Sequence, residues 1–482
     1  MNAVPPLMLF SVSPVAPELV LVGLGLLLVG IASFPKVPKL IMPSVTALGA
    51  LVALMLLYTT SSGATSLMNM LVMDGYSRFF KTICLVALLL TVLISERYRT
   101  AVDMRHGEYY CLMIFAVVGM MVMISAVDLI MLYVGLELMA LSVYCLVGLL
   151  KHDTRANEAA LKYFLMGAFS SGFFLYGLTL IYGLTGTTQL SELAQRIALL
   201  DLSANYALLA GLGLVAVAFA FKVAAAPFHM WTPDVYEGAP TAVTAFMSVA
   251  PKAASFAVLG RVLMEGFPMM HDQWGPLLAV FALLSMAVGN IVAIAQTNIK
   301  RMLAYSSIAH AGYALLGILA GTAEGLSATM NYLLIYALMS LGAFAIIVHL
   351  SSRDGRGERL EDYKGLAQDN PLAALLMLLF MFSLTGIPPT AGFMGKLYLL
   401  IAIMNAGHLW LALGAVLFSA ISAYYYLRLV RYMYMHEAKP APRLVFSFGV
   451  AAALCVSVFG VAALGVVPSA VLAWAGQAML GF

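Results

Sequence analysis

Five ionisable side chains fall inside long apolar runs of this sequence: Glu137, Lys162, Lys222, Lys252 and Lys396. A charge at bilayer depth is costly and is kept where it faces other protein, meets an opposite charge or lines water. Lys222 lies in F-K-V-A-A-A-P-F-H-M-W-T-P-D-V-Y-E-G-A-P, with Pro227 five residues after it. A proline there cannot donate its backbone hydrogen bond and crowds the preceding turn. A second stretch, S-L-T-G-I-P-P-T-A-G-F-M-G-K-L-Y, places Gly386, Pro388 and Pro389 ahead of Lys396. Broken helices at membrane depth are tolerated where they are buried in protein or line a cavity. Amines beside helix breaks point to an ion pathway.

Glu137, in Y-V-G-L-E-L-M-A-L-S-V-Y, reads as the one carboxylate deep in apolar sequence, with Asp128 and Glu158 at span ends. It is either half of a structural ion pair or part of a proton relay. Lys162, about a turn and a half into its span, either joins that relay or snorkels to the interface. A carboxylate moving between Lys222 and Lys162 would decide which amine keeps its proton, and Lys222 could then release towards Lys252. His310, in A-Y-S-S-I-A-H-A-G-Y, is either a proton carrier, since neutral imidazole both accepts and donates, or a hydrogen-bonded packing residue. His229 and Trp231 fall where the Lys222 span reaches an aqueous face, while His349 and His408 near span ends carry no assignment. The methionines and the Tyr424–Tyr425–Tyr426 run read as packing against lipid and neighbouring helices.

The elements that must hold these residues follow from composition. Of 482 residues 63% are hydrophobic and 10% charged, the mean hydropathy is +0.98, and apolar runs repeatedly reach the roughly 20 residues that cross a bilayer. This predicts an all-α polytopic membrane protein with spans at 17–33, 38–59, 77–95, 109–127, 129–150, 157–183, 205–229, 239–260, 274–297, 300–320, 326–350, 371–401, 408–430 and 444–475. The broken spans are the seventh and the twelfth. An odd offset makes them cross in opposite directions, as paired interrupted helices do in inverted-repeat transporters. The expected organisation is three N-terminal helices in 1–108, one five-helix unit in 109–260, its inverted counterpart in 274–430, and a last helix in 444–482.

Charge placement sets the expected orientation, because basic residues concentrate on the inner side. With the N-terminus outside, the outer loops hold only Arg78, Lys81, Arg196 and Arg261. The inner loops collect Lys36, Lys39, Arg97, Arg99, Arg105, Lys151, Arg155, Lys300, Arg301, Arg353, Arg356, Arg359, Lys364, Arg428, Arg431, Lys439 and Arg443. Both termini are therefore expected outside. No basic segment precedes the first apolar run, so that helix is expected to be retained. The net charge of +3 gives no basic patch for nucleic acid. Cys84, Cys111, Cys145 and Cys455 are widely spaced in apolar runs and read as small packing residues, without disulfide, zinc or iron–sulfur spacing. Nucleotide-binding and metalloprotease motifs are absent from the sequence.

Three motifs, F-K-V-A-A-A-P-F-H-M-W-T-P-D-V-Y-E-G-A-P, Q-T-N-I-K-R-M-L-A-Y-S-S-I-A-H-A-G-Y and L-T-G-I-P-P-T-A-G-F-M-G-K, resemble the antiporter-like subunits of respiratory complex I. The resemblance covers nearly the whole chain and is strongest over 109–430. It implies a fourteen-helix membrane-arm subunit of a bacterial inner membrane, with a half-channel in each inverted repeat and antiporter-like neighbours as partners. By that resemblance Glu137, Lys162, Lys222, Lys252 and Lys396 match proton-path residues. No cofactor is implied in this chain: electrons pass from NADH through FMN and iron–sulfur clusters to quinone in other subunits. One departure concerns the eleventh span, M-N-Y-L-L-I-Y-A-L-M-S-L-G, where larger family members carry a lysine. Here Tyr332, Tyr336 and Ser340 are offered instead, so the link between half-channels is expected to rest on His310, hydroxyls and water. The long lateral C-terminal helix of the largest such subunit is also not expected.

Two other readings stand beside it. In a stand-alone or Mrp-type cation/proton antiporter, the purified chain would show sodium-dependent transport. In a structural subunit, neutralising Lys222 and Lys396 would disrupt assembly and spare pumping.

Overall fold

A computed structural model describes residues 12–34, 40–101, 104, 107–200, 205–351, 357–437 and 446–479, apart from the side chains of residues 97, 100 and 101. Lys36, Lys39, Arg105, Arg353, Arg356, Lys439 and Arg443, the Arg97 side chain and both chain ends thus lie outside the described residues.

Helices α1 (Ala16–Ala32), α2 (Ile41–Thr59) and α3 (Gly75–Ala101) open the chain. A small antiparallel hairpin, β1 (Ala64–Ser66) with β2 (Leu71–Met73), joins the last two. A first block follows: α4 (Glu108–Ser125), α5 (Leu129–Val147), α6 (Thr154–Thr185), α7 (Leu190–Ile197), α8 (Tyr206–Lys222), α9 (Trp231–Gly238) and α10 (Thr241–Arg261). The second block holds α11 (His271–Ala293), α12 (Ile299–Leu319), α13 (Ala323–Leu350), α14 (Leu366–Asp369), α15 (Pro371–Thr385), α16 (Ala391–Asn405) and α17 (Leu409–Met435). It is followed by α18 (Phe448–Val466) and α19 (Ser469–Ala478). Among the described residues, 12 helices are long and apolar enough to cross a membrane, and α8, α15 and α16 are shorter apolar helices. Taking α8 as one crossing and α15 with α16 as another, interrupted one brings the number to the fourteen expected.

The two blocks repeat one local arrangement. Asp128 caps α5 by accepting from the backbone of Ile130 and Met131, and Asn298 caps α12 by accepting from Lys300 and Arg301. Next to the first cap, Leu129 N–H donates to Thr188 and Leu190 N–H to Val127, each at 2.9 Å. Next to the second, Ile299 N–H donates to Glu358 at 2.7 Å and Leu360 N–H to Thr297 at 2.9 Å. Each turn thereby pins the segment that follows the third helix of its block, and in each block that pinning satisfies backbone groups a helix end would leave unpaired.

Burial decides where charge can sit. α10 and α12 are buried almost throughout, whereas α1, α6 and α17 present most of their surface outward. A helix apolar on all sides is suited either to a core or to lipid, and here Lys252 and His310 occupy the two cores. α6, with 32 residues, is about 48 Å long and overreaches a hydrocarbon core of about 30 Å. Its first turns, with Lys162, therefore stand at the water boundary.

Three loop assignments need correction. Lys81 is fully buried in α3 and pairs with Glu18 of α1 at 2.5 Å. Arg261 is buried at the end of α10 against Asp74 and Glu265, both at 2.8 Å. Lys300 is buried at the start of α12 and bonds Glu358 at 2.7 Å. Hydropathy places these residues at span ends and so treats them as wet, but each has a carboxylate folded onto it. The buried carboxylates among the described residues are therefore Glu18, Asp74 and Asp128, while Glu137 is only half-buried. Of the cysteines only Cys84 and Cys111 are packed inside, while Cys145 and Cys455 face outward.

Candidate functional site

α8 stops at Lys222 itself, so this amine lies at a helix C-terminus and not inside an unbroken span. Ala224 takes the left-handed conformation (φ +60), and Ala225 N–H reaches back to Ala220 O at 2.7 Å. Pro227 thus belongs to a non-helical link, from which Ala226 N–H donates to Ser285 Oγ of α11 at 2.8 Å. The chain resumes in α9, which the apolar pattern does not reveal, and Trp231 Nε1 donates back across the link to Phe221 O at 3.0 Å. Free carbonyls and the helix dipole make the end of α8 favourable for a cation.

Lys396 meets the same physics from the other side. α15 ends in Gly386 at φ +89, a conformation glycine adopts without strain. Lys396, on α16, reaches back across Pro388 and Pro389 to donate to the carbonyls of Leu384 at 3.3 Å and Thr385 at 2.8 Å. It also donates to Ser419 Oγ of α17 at 2.9 Å, with its amine 4.8 Å from the centre of the Tyr313 ring. Both lysines therefore stand at the negative end of a half-helix, the placement broken-helix transporters use to hold cations.

A row of buried polar groups runs from Lys252 towards Lys396. Lys252 donates to both the carbonyl and the hydroxyl of Ser307, the former at 2.7 Å. One turn on along α12, His310 Nδ1 shares a hydrogen bond with the Tyr332 hydroxyl at 2.6 Å, and Nε2 with that of Tyr426 at 3.2 Å. Tyr426 also meets Ser306 at 2.5 Å. Tyr425 donates to Asn290, whose amide donates to Tyr313, and Tyr313 brings the file to Lys396. His310 lies within electrostatic reach of both Lys252 and Lys396. Tyr425 and Tyr426 thus belong to the polar interior, and of the tyrosine run only Tyr424 faces outward. Three adjacent aromatic residues carry no sequence mark that separates the outward one from the two buried ones.

Glu137 and Lys162 are not brought together. Glu137, half-buried on α5, accepts from Ser171 of α6 and lies within electrostatic reach of Lys222. No ion pair joins Glu137 to either lysine among the described residues. Lys162 lies nine residues before Ser171 on α6, about 13.5 Å along the axis. It pairs instead with Glu158 at 2.8 Å and Asp234 of α9 at 2.9 Å, with its side chain 44% exposed. Asp234 and Glu237 also hold Arg301 of α12, at 2.8 and 2.9 Å. These groups line a cleft of about 320 Å³. Asp234 carries no mark in the sequence, because a carboxylate in a polar turn reads as solvated.

The fold and the two amine-bearing breaks define a polytopic membrane protein of the antiporter-like type. Residues 126–422 match the family described as NADH:quinone oxidoreductase/Mrp antiporter, TM, and the chain belongs to that family. It is 50% identical over 97% of its length to NADH-quinone oxidoreductase subunit N of Desulfovibrio desulfuricans, covering 96% of that protein. With the subunit of the same name from Trichlorobacter lovleyi it shares 47% identity over 97% of both chains. Among solved structures, a chain of respiratory complex I from Thermus thermophilus with bound aureothin superposes with a TM-score of 0.81 at 36% identity, over 95% of this chain and 98% of that one. A chain of an Mrp complex from a Dietzia species shares the fold at a TM-score of 0.82 and 22% identity, over 97% and 96% of the two chains.

Proposed function

We propose that this chain is a proton-translocating membrane-arm subunit of a bacterial NADH:quinone oxidoreductase. The observation that carries the reading is the row of buried polar groups between Lys252 and Lys396: Lys252 bonds Ser307, His310 one turn further along α12 bonds Tyr332 and Tyr426, and Tyr313 stands beside the Lys396 amine. It ends at the second helix break, and Lys222 stands at the first. Lys222, with Glu137 in reach, loads the first half-channel, and Lys396 serves the second. His310 and the tyrosine hydroxyls replace the missing amine of α13, since each both donates and accepts a proton.

The chain itself does no redox chemistry in this reading. NADH, FMN, the iron–sulfur clusters and quinone belong to other subunits of the complex, and antiporter-like subunits are neighbours in the membrane arm. The chain lies in the cell inner membrane with both termini on the periplasmic side, residues 109–260 and 274–430 forming the inverted units. The Lys162 cleft then faces the cytoplasm. Lys222→Ala and Lys396→Ala, made in the complete complex, test this through proton uptake per NADH oxidised in sealed vesicles. Both variants are expected to lose pumping with the complex assembled. Pumping at the native stoichiometry in both would overturn the reading.

A further inference from the structure

Asp234 holds cations of both blocks at once. Its two carboxylate oxygens bind separate partners, Oδ2 taking Lys162 of α6 and Oδ1 taking Arg301 of α12. It also has a defined place in the repeat: Asp234 lies seven residues after Pro227, as Lys396 lies seven after Pro389. The α9 helix that carries it is anchored to the Lys222 break by the Trp231–Phe221 hydrogen bond and by Trp231 stacking on Tyr163 at 4.4 Å.

We propose that Asp234 is the exchange partner of Lys162 and the proton-entry carboxylate of the first half-channel, the task a mobile Glu137 would otherwise fill. The inference rests on the proton-translocating reading above. Geometry carries it: Glu137 is tied to Ser171, about 13.5 Å up α6 from Lys162, whereas Asp234 already touches the amine and lines a wet cleft. In the entry step a hydronium gives its proton to Asp234, forming an O–H bond and leaving water. Lys162, no longer held on that side, gives an N–H proton to water leading towards Lys222, and becomes a neutral amine. Asp234 then returns its proton to Lys162 and the pair re-forms, so one proton has entered. The other charged groups facing this pair are Arg155 and Glu158 on α6, Glu237 on α9 and Arg301 on α12.

Asp234→Asn, Asp234→Glu and Glu237→Gln, each in the complete complex in sealed membranes, test this. Glu237 shares Arg301 but does not touch Lys162, so it controls for mere loss of charge in the cleft. Asp234→Asn is expected to slow pumping-coupled NADH oxidation about a hundredfold, the low end of what one general acid–base group contributes, at native complex content on a blue-native gel. Asp234→Glu is expected to keep most of the rate and shift the acid limb of the pH–rate profile, and Glu237→Gln to keep both. Equal losses in Asp234→Asn and Glu237→Gln, or native pumping in Asp234→Asn, would overturn the proposal. If Lys222→Ala and Lys396→Ala abolish pumping while Asp234→Asn does not, only the role of Asp234 fails. If those lysine variants pump normally, the parent reading fails with it.

Discussion

Ser307 bonds Lys252 directly, whereas Glu137, at the matching position of the first block, lies only within electrostatic reach of Lys222. Ser307 lies nine residues after the cap Asn298 on α12, and Glu137 nine after the cap Asp128 on α5. One position of the repeat thus presents a neutral acceptor in one block and a carboxylate in the other. A neutral acceptor holds an amine loosely enough to let its proton go, whereas a hydrogen bond to a charged group contributes roughly 1.5–3 kcal/mol. Ser307→Asp is therefore expected to pin Lys252 and slow coupled turnover by about tenfold or more, since 1.4 kcal/mol is a factor of ten. Ser307→Ala, which leaves the carbonyl, is expected to slow it only a few-fold. Proton uptake per NADH in sealed vesicles measures both. A Ser307→Asp variant that pumps as well as Ser307→Ala would contradict the loose-holding argument.

His310 is the only ring in the file bonded through both nitrogens. Replacing it with leucine removes the proposed carrier and leaves the buried Tyr332 hydroxyl to be re-satisfied, since Tyr426 keeps Ser306. His310→Leu should abolish pumping and cost about 1–3 kcal/mol of stability for that unpaired hydroxyl. Tyr426→Phe removes the bonds to His310 and Ser306 but leaves Tyr332 on the imidazole, so a partial loss is expected. Thermal unfolding of the purified complex separates the stability effect from the transport effect.

Much of this architecture was legible in the chain. Fourteen crossings follow from apolar length, and both breaks from proline and glycine beside an amine. What was not legible depends on distant partners. Arg261 and Asp74 are 187 positions apart, and a hydropathy window cannot tell a charge that has such a partner from one in water. The end of α8 was hidden for a different reason: Ala224, not glycine, adopts the left-handed turn, so the stop carries no local mark. α9 is eight residues long and too polar to show as a span. The wiring of the site was least visible, because Ser307, Tyr426 and Asp234 are ordinary residues until the fold brings an amine or an imidazole to them.

The Asp74–Arg261 pair joins the N-terminal helices to α10, and its pH dependence has a definite sign. Burial alone would raise the Asp74 carboxyl, but the Arg261 guanidinium and hydrogen bonds from Ser77 and Arg261 outweigh it and hold the group below its usual value. A carboxylate depressed in the folded state adds stability fully above the ordinary value near 3.9. That stability is lost as pH falls through the folded value. Asp74→Asn should cost about 3 kcal/mol at neutral pH, the lower end for breaking a buried pair, since Arg261 keeps Glu265. Its thermal stability should also fall less steeply towards acid than that of the native chain. A midpoint unchanged by the substitution would show that the pair does not hold these helices together.

Gly386→Ala probes the second break. The residue sits at φ +89, and an added Cβ would lie 3.2 Å from Lys396 Cδ. The backbone strain is on the order of 1–3 kcal/mol, and the contact pushes the amine away from the α15 carbonyls it caps. Lower thermal stability together with slower pumping is the expected result. Loss of stability with native pumping would mean that the position of Lys396 against those carbonyls is not needed for transport.

The Glu18–Lys81 pair offers a test of which buried charges move protons and which only hold helices. It is as dry as any amine in the file, and Glu18 Oε2 is buried without a partner among the described residues. Its placement argues for a structural role. Helix α3 packs on α10 through Tyr76, bonded to Ala257 O at 2.8 Å, and Cys84, 3.8 Å from Ala250 O. Lys81 of α3 turns to Glu18 and Met73, whereas Lys252 of α10 turns to Ser307 of α12. Among the described residues no hydrogen bond or ion pair joins the Glu18–Lys81 pair to the file. Glu18→Gln alone leaves a buried ammonium without its counter-charge and should cost about 3–5 kcal/mol, whereas replacing a whole buried pair by apolar residues of similar volume is often neutral or stabilising. The double variant Glu18→Leu with Lys81→Met should accordingly recover the thermal stability lost by Glu18→Gln and pump at the native stoichiometry. A double variant that is stable but does not pump would put Lys81 on the proton route.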